Sequence, residues 1–233
     1  MTERFSRTRR LLGEQDLNKL KKSKVAVFGV GGVGGYCVEA LARSGIGAID
    51  LIDADKVALS NLNRQIIALT STIGQEKTQV AKKRIAEINP DCVVNAYNLF
   101  YDEQTQGLFD LSSYDYVVDA IDSVNSKVLL IVNAKKSGTN IISSMGAGNK
   151  KCAWAFKVAD IYETKVCPLA KIMRKKLKEQ GVKDLKVVYS EEQPIKAELD
   201  DEKEGKTQVG SLAFVSSVVG LIMAGEVVLD LIK

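Results

Sequence analysis

The pattern Gly29-x-Gly31-x-x-Gly34, set directly after the apolar run Lys24 to Phe28 (KVAVF), restricts this chain more than any other feature. A strand that ends in a glycine turn and opens a helix presents backbone N–H groups at the helix start, where phosphate binds. Val38, Leu41 and Ala42 continue a helical pattern that Gly45 and Gly47 stop. Ala48 to Ile52 (AIDLI) reads as a second strand with Asp53 at its carboxyl end. An acid about 20 residues beyond such a turn can hold a ribose hydroxyl. These features alone suit NAD as well as ATP.

The same alternation continues. Glu76 to Ile88 lines up Val80, Ala81, Ile85 and Ile88 on one face before the Asn89-Pro90 stop, so Lys77 falls in the first turn of a helix. Cys92 to Tyr97, Tyr116 to Ala120 and Asn140 to Ser144 read as three further buried strands, with helices near Asp102 to Phe109 and Val124 to Lys136. The order predicts an α/β fold, a Rossmann-like and mostly parallel sheet with flanking helices. Asp119 and Asp122 then share the sheet edge of Asp53. Beyond Gly146-Ala147-Gly148 the pattern changes to C-terminal extensions: a strand over Trp154 to Ile161, a helix over Leu169 to Lys178 and a strand over Lys186 to Tyr189. Leu212 to Ile232 reads as a strand-like start and an amphipathic terminal helix. We expect one domain over 1–233, with a nucleotide-binding core over 1–150 and a substrate-side elaboration over 151–233. The acidic, polar stretch Glu191 to Gly205 reads as a mobile surface loop near 191–206.

Composition removes several chemistries. At 45% hydrophobic and 27% charged, the 233 residues suit a soluble globular protein with one sizeable core. The chain has 0 histidines, so Ser-His-Asp triads, imidazole general bases and imidazole zinc sites are excluded. Cys37, Cys92, Cys152 and Cys167 are too widely spaced for a zinc knuckle or a redox pair, and read as reduced cytoplasmic thiols. Cys167, beside Pro168 and a basic stretch, is the one candidate nucleophile, with no histidine or second cysteine to activate it. Thr2 to Arg10 is basic and polar, without the apolar stretch of a signal peptide. Val209 to Gly225 carries no charge but is broken by serines and glycines, which suits a buried strand and helix better than a membrane span.

Three charged residues beyond the glycine turn narrow the chemistry. A redox dinucleotide site has no growing phosphoryl charge to neutralise, whereas attack on phosphorus does. Arg64 offers a guanidinium fork to phosphate, Lys77 a point charge at a helix start, and Asp122 a carboxylate able to hold magnesium. Taken singly, Arg64 and Lys77 also fit surface cations, and Asp122 a helix N-cap. Between Lys165 and Lys186 there are eight basic residues and two acids. Two readings of that stretch stand: a solvated helix face, or a nucleic-acid footprint through Lys171, Arg174, Lys175 and Lys178.

The series Gly29-x-Gly31-x-x-Gly34, Asp53-x-Asp55, Ser60-Asn61-Leu62-x-Arg64-Gln65, Gly74-x-x-Lys77 and Asp119-x-x-Asp122 resembles the ubiquitin-activating-enzyme-like adenylyltransferases, the ThiF and MoeB superfamily. The resemblance covers residues 4 to about 148. It implies ATP and Mg2+ as cofactors, with Gly29, Gly31, Gly34, Asp53, Asp55, Asn61, Arg64, Gln65, Lys77 and Asp122 around the nucleotide. Asp53 is implied on ribose, Asn61, Arg64 and Lys77 on phosphates, and Asp122 near the metal. Arg4-Phe5-Ser6-Arg7 resembles the segment whose arginine enters a neighbouring subunit, implying a homodimer with Arg7 as a trans group. Ser143 to Lys150, Val158 to Ile161, Val166 to Lys171 and the Gly220 to Glu226 stretch extend the likeness toward the tRNA threonylcarbamoyladenosine dehydratase branch. Lys151-Cys152-Ala153 departs from the Asp-Pro-Thr of that branch. The branch implies tRNA as partner, adenylation of a threonyl carboxylate and ring closure with loss of AMP, and a cysteine desulfurase and sulfur-acceptor system as a further candidate partner. The competing expectations are adenylation of a ubiquitin-like sulfur carrier, and an NAD-dependent oxidoreductase or non-catalytic nucleotide-binding regulator.

Overall fold

A computed structural model describes residues 3–195 and 209–233. Helix α1 (Ser6–Lys22) precedes β1 (Lys24–Phe28), α2 (Gly34–Ser44), β2 (Ala48–Ile52), α3 (Lys77–Ile88), β3 (Val93–Tyr97), β4 (Tyr116–Asp119), α4 (Val124–Lys136) and β5 (Ile141–Ser144). Strand β6 (Phe156–Asp160), helix α5 (Pro168–Glu179), strand β7 (Lys186–Ser190) and helix α6 (Ala213–Ile232) complete the described residues. The seven strands form one sheet in the order β3-β2-β1-β4-β5-β7-β6. All neighbours are parallel except β6, which runs antiparallel to β7 with Phe156 opposite Ser190. Strand order reverses between β1 and β4, and open α/β sheets bind ligands beyond the carboxyl ends of the strands at such a point.

Two apolar layers cover the sheet. Leu20, Leu41, Ile85, Val219 and Met223 bring α1, α2, α3 and α6 onto one face. Leu130, Ile131, Met173 and Leu177 bring α4 and α5 onto the other, joined by Tyr101, Phe109 and Leu111. Glycine makes the contact between α2 and α6 possible, because a Cβ on Gly220 would stand 2.2 Å from the Val33 carbonyl oxygen. Helix α6 is apolar and long enough to cross a membrane, but it lies along α2 with Val215, Val219, Met223 and Val227 buried.

Several expectations need correction. No α-helix forms over Asp102 to Phe109. Asp102 accepts the N–H groups of Gln104 and Thr105 at 2.9 and 3.0 Å, tightening a turn that leaves only the single 3-10 turn Gln106–Leu108. Strand β3 begins at Val93 and alternates exposed with half-buried residues, since it is an edge with β2 as its one neighbour. Leu212 starts no strand: it is the extended residue before a continuous α6. The Trp154 to Ile161 strand is shorter, flanked by the 3-10 turns Ala153–Ala155 and Ile161–Glu163. Most of the acidic Glu191 to Gly205 stretch lies outside the described residues.

A charged cluster joins the end of α6 to the sheet. Asp230 accepts the Tyr116 hydroxyl at 2.8 Å and pairs with Lys186 and Lys233, each at 2.6 Å. Burial alone raises the Asp230 carboxyl, but the hydrogen bonds from Lys186, Lys233 and Tyr116 outweigh it and bring its pKa to about 2. A depressed folded pKa stabilises the native state above the unfolded value and is lost as pH falls through the folded one. After screening by solvent the depression is worth about 1 kcal/mol at neutral pH. Asp230→Asn is expected to lower neutral-pH stability by about that amount and to flatten the loss of stability between about pH 4 and pH 2, measured by urea unfolding. An unchanged acid limb would contradict this assignment.

Candidate active site

The glycine turn and the ends of β1, β2 and β4 enclose a cavity of about 500 Å3 at the switch point. The three motif glycines have different reasons to be glycine. Gly29 has φ +90°, and its Cβ would lie 2.5 Å from the Ala120 oxygen. A Cβ on Gly34 would lie 1.8 Å from the Gly29 oxygen. Gly31 has no such neighbour, since its Cβ would come no closer than 3.8 Å, to Gln65 Nε2. Nothing among the described residues fills the space above Gly31, which opens onto the cavity. The open space above Gly31 is the room a phosphate needs to approach the backbone at the start of α2.

Asp53 ties this turn to β2. Its Oδ2 accepts the Val30 N–H at 2.7 Å and its Oδ1 the Asp55 N–H at 2.8 Å. Burial pushes the Asp53 carboxyl up, and the Lys77 charge with the Val30 and Asp55 N–H groups offsets this only in part. Lys77 is the first residue of α3 and is 5% exposed. Its Nζ lies 2.7 Å from Asp55 Oδ2 and 4.0 Å from Asp53 Oδ1. Asp55 and Lys77, both expected around the nucleotide, form an ion pair on the cavity wall.

The Ser60 to Gln65 segment forms the next wall. Asn61 is buried, and its Oδ1 accepts the Ala58 N–H at 3.0 Å. Arg64 Nη1 donates to the Ser60 oxygen and to Asn63 Oδ1, each at 3.0 Å. Gln65 is buried, and its Oε1 has no hydrogen-bond partner among the described residues. The orphaned atom is an acceptor, and it is Nε2 that faces Gly31, so a ligand there meets the donor end of the amide.

Asp119 and Asp122 separate. Asp119 is fully buried, 3.0 Å from Lys127 Nζ, and accepts the Ser143 hydroxyl at 2.6 Å. Asp122 is exposed and lines the cavity. The described residues contain no group of three or more acids, cysteines or histidines able to hold a metal alone. One carboxylate suits magnesium carried in by phosphates.

Other expected residues lie elsewhere. Arg7 is exposed in the first turn of α1 and does not line its own chain's cavity. Lys171, Lys175 and Lys178 are exposed on α5, whose first turn reaches the rim through Leu169. Arg174 differs from them, because its Nη1 donates to the Thr164 oxygen at 2.9 Å and also to the Thr164 hydroxyl. It anchors α5 to the preceding turn. Cys167 is buried beneath Gly146 and precedes α5. Sequence reasoning did not single out Phe100, Ser211 or Ser216, which also line the cavity. Phe100 lies beyond an edge strand, and the serines lie far along the chain, so no local pattern marks them. A larger groove of about 760 Å3 lies against α2 and α3. Three of its four cations are occupied, Arg43 and Arg84 on Glu39 and Arg4 on the Ile88 oxygen, and Lys83 is the fourth.

The glycine contrast gives a direct test. Gly31→Ala is expected to leave the melting temperature within about 2 °C while weakening ATP at least tenfold, whereas Gly34→Ala should destabilise the fold itself. Calorimetric titration and thermal unfolding read the two effects. Equal ATP affinity in Gly31→Ala would remove the cavity from consideration.

Residues 5–232 match the ThiF family. Over 244 aligned residues the chain is 46% identical to the tRNA threonylcarbamoyladenosine dehydratase of Bacillus subtilis (strain 168), covering 100% of this chain and 96% of that one. It is 40% identical over 176 residues to the protein of the same name from Escherichia coli (strain K12), covering 76% of this chain and 66% of that one. The E. coli tRNA N6-threonylcarbamoyladenosine dehydratase TcdA solved with ATP superposes at a TM-score of 0.89 and 33% identity, covering 98% of this chain and 93% of that one. The AMP complex superposes at 0.90, covering 98% and 94%.

Proposed function

Because the chain belongs to the ThiF family, we propose that it is an ATP-dependent tRNA threonylcarbamoyladenosine dehydratase, acting by adenylation of the threonyl carboxylate beside the anticodon. The observation that carries this reading is the convergence of the Gly31 cradle, Arg64, Lys77 and Asp122 on one cavity. The near full-length likeness to named dehydratases supports the substrate. In this reading a carboxylate oxygen attacks the α-phosphorus of ATP and pyrophosphate leaves. The substrate's carbamoyl group then attacks the acyl carbon, closes a ring and expels AMP with release of a proton. Summed, the nucleoside loses one water.

This chemistry asks little of proton-transfer groups, which suits a chain without histidine. Negative charge grows on the phosphates and is met by Arg64 and Lys77. Lys77 is held by Asp55, so its charge is fixed on the wall before the nucleotide arrives. Asp53 holds the ribose, with Asn61 and Gln65 beside the phosphates. Asp122 would hold magnesium, which would supply charge neutralisation at the phosphates. The second step joins two groups of one molecule, so proximity supplies much of its rate.

We assign 1–150 to ATP and 151–233 to the substrate side. Lys171, Lys175 and Lys178 form a phosphate-binding face for tRNA in the cytoplasm. Arg7, absent from its own cavity, acts on the neighbouring site of a homodimer.

Incubating the protein with ATP, magnesium and tRNA bearing threonylcarbamoyladenosine is expected to give the nucleoside lighter by one water, read by mass spectrometry. Arg64→Ala and Asp122→Ala should abolish AMP formation with unchanged thermal unfolding. Retained tRNA-dependent turnover in either variant would overturn the site, and adenylation of a carrier protein instead of tRNA would overturn the substrate. Neutralising Lys171, Lys175 and Lys178 together should reduce the salt slope of tRNA binding by about 2. Arg174→Ala should instead lower the melting temperature. An unchanged slope returns α5 to a solvated face.

A further inference from the structure

The side chains around the cavity are linked across its two walls. Asn149 is one of two non-glycine residues with positive φ among the described residues, at +57°. Its N–H donates to the Gly210 oxygen at 2.8 Å, and its Oδ1 accepts the Gly210 N–H at 2.7 Å. Its carbonyl accepts the Ile195 N–H at 2.8 Å. The neighbouring Gly148 has no room for a side chain, since a Cβ would stand 2.0 Å from Val209 Cγ1. Asn149 therefore clasps the segment that carries Val209 and Ser211, both of which line the cavity.

From Ser211 the linkage continues to the opposite wall. Asn63 Nδ2 donates to the Ser211 oxygen at 3.1 Å, and Asn63 Oδ1 accepts Arg64 Nη1 at 3.0 Å. Only an amide satisfies both ends, because one partner is a carbonyl oxygen and the other a cation's N–H. Aspartate in its place keeps the acceptor for Arg64 and loses the donor to Ser211. The Ser60 carbonyl fixes the same Arg64 nitrogen from the other side.

We propose that Asn149 and Asn63 are positioning residues for Arg64: the bonds Asn149 to Gly210, Ser211 to Asn63 and Asn63 to Arg64 tie the substrate-side wall to the arginine that meets the ATP phosphates. The proposal rests on the assignment of Arg64 as a phosphate ligand and adds that its placement depends on residues of the opposite wall. Whatever seats against Val209 to Ser211 thereby acts on the same arginine. Asn63 lies inside a motif otherwise read for its neighbours, and Asn149 ends the Gly146 to Gly148 wall.

The test is a mutant cycle read by calorimetric titration of ATP with magnesium. Asn149→Gly removes the clasp while suiting the left-handed backbone, and Asn63→Asp cuts the relay while retaining the Arg64 contact. Each is expected to raise the ATP Kd about fivefold in the wild-type background, and less than twofold when Arg64 is already alanine. Asn149→Asp, which retains an acceptor oxygen, is expected to restore most of the affinity. Equal effects in both backgrounds, or no change in ATP Kd, would overturn the relay while leaving Arg64 as a ligand. Wild-type ATP binding by Arg64→Ala alone would instead remove the phosphate assignment, and the relay with it.

Discussion

The ligand edge depends on how closely backbones approach around the start of α2. Gly34 lets the helix settle on the Gly29 carbonyl, Gly29 lets the turn pass under Ala120, and Gly220 lets α6 press on Val33 and Cys37. Each contact is closer than a Cβ allows. Because β1 lies between β2 and β4, this compression aims the α2 N-terminus at the point where the strand order reverses. The backbone dipoles there favour negative charge before any side chain contributes. Gly31, with open space where a Cβ would stand, borders the cavity at that point.

Side-chain charge is then arranged in two tiers. The lower tier is sealed: Asp119 and Lys127 are both fully buried, with Ser143 and the backbone of Ile121 completing their hydrogen bonds. A buried pair of this kind contributes little net stability, but breaking it by removing one partner costs about 3 to 5 kcal/mol. Its effect is to fix the backbone of Ile121, and so the position of Asp122. The upper tier borders the cavity: Asp53 on two backbone N–H groups, Lys77 on Asp55, and Arg64 on Ser60 and Asn63. Cations held in place in this way need little reorganisation when phosphate charge develops.

Sequence made the first tier of organisation legible because it is local. The apolar run before Gly29, the strand that ends at Asp53 and the helix that begins at Lys77 each declare themselves within a dozen residues, and β1, β2 and α4 have the bounds their patterns imply. The features that were not legible depend on partners distant in the chain. Arg174 reads as a phosphate contact until Thr164 is seen to hold it, and Asp119 looks equivalent to Asp122 until Lys127 closes over it. The Asp102 to Phe109 stretch has helical composition, yet its own side chains bind the backbone in a turn. Leu212 begins no strand: it is the extended residue before α6, which packs along α2. The Asn149 to Arg64 linkage joins residues 61 positions apart at one step and 148 at another, beyond the reach of any pattern.

The proposed reaction stands on the substrate's carboxylate, and not another oxygen, attacking the α-phosphorus at this edge. Labelling the threonyl carboxylate of the tRNA nucleoside with heavy oxygen and following the label by mass spectrometry tests that step most directly. One labelled oxygen is expected in AMP and none in pyrophosphate. Label confined to the cyclised nucleoside, or appearing in pyrophosphate or inorganic phosphate, would contradict it.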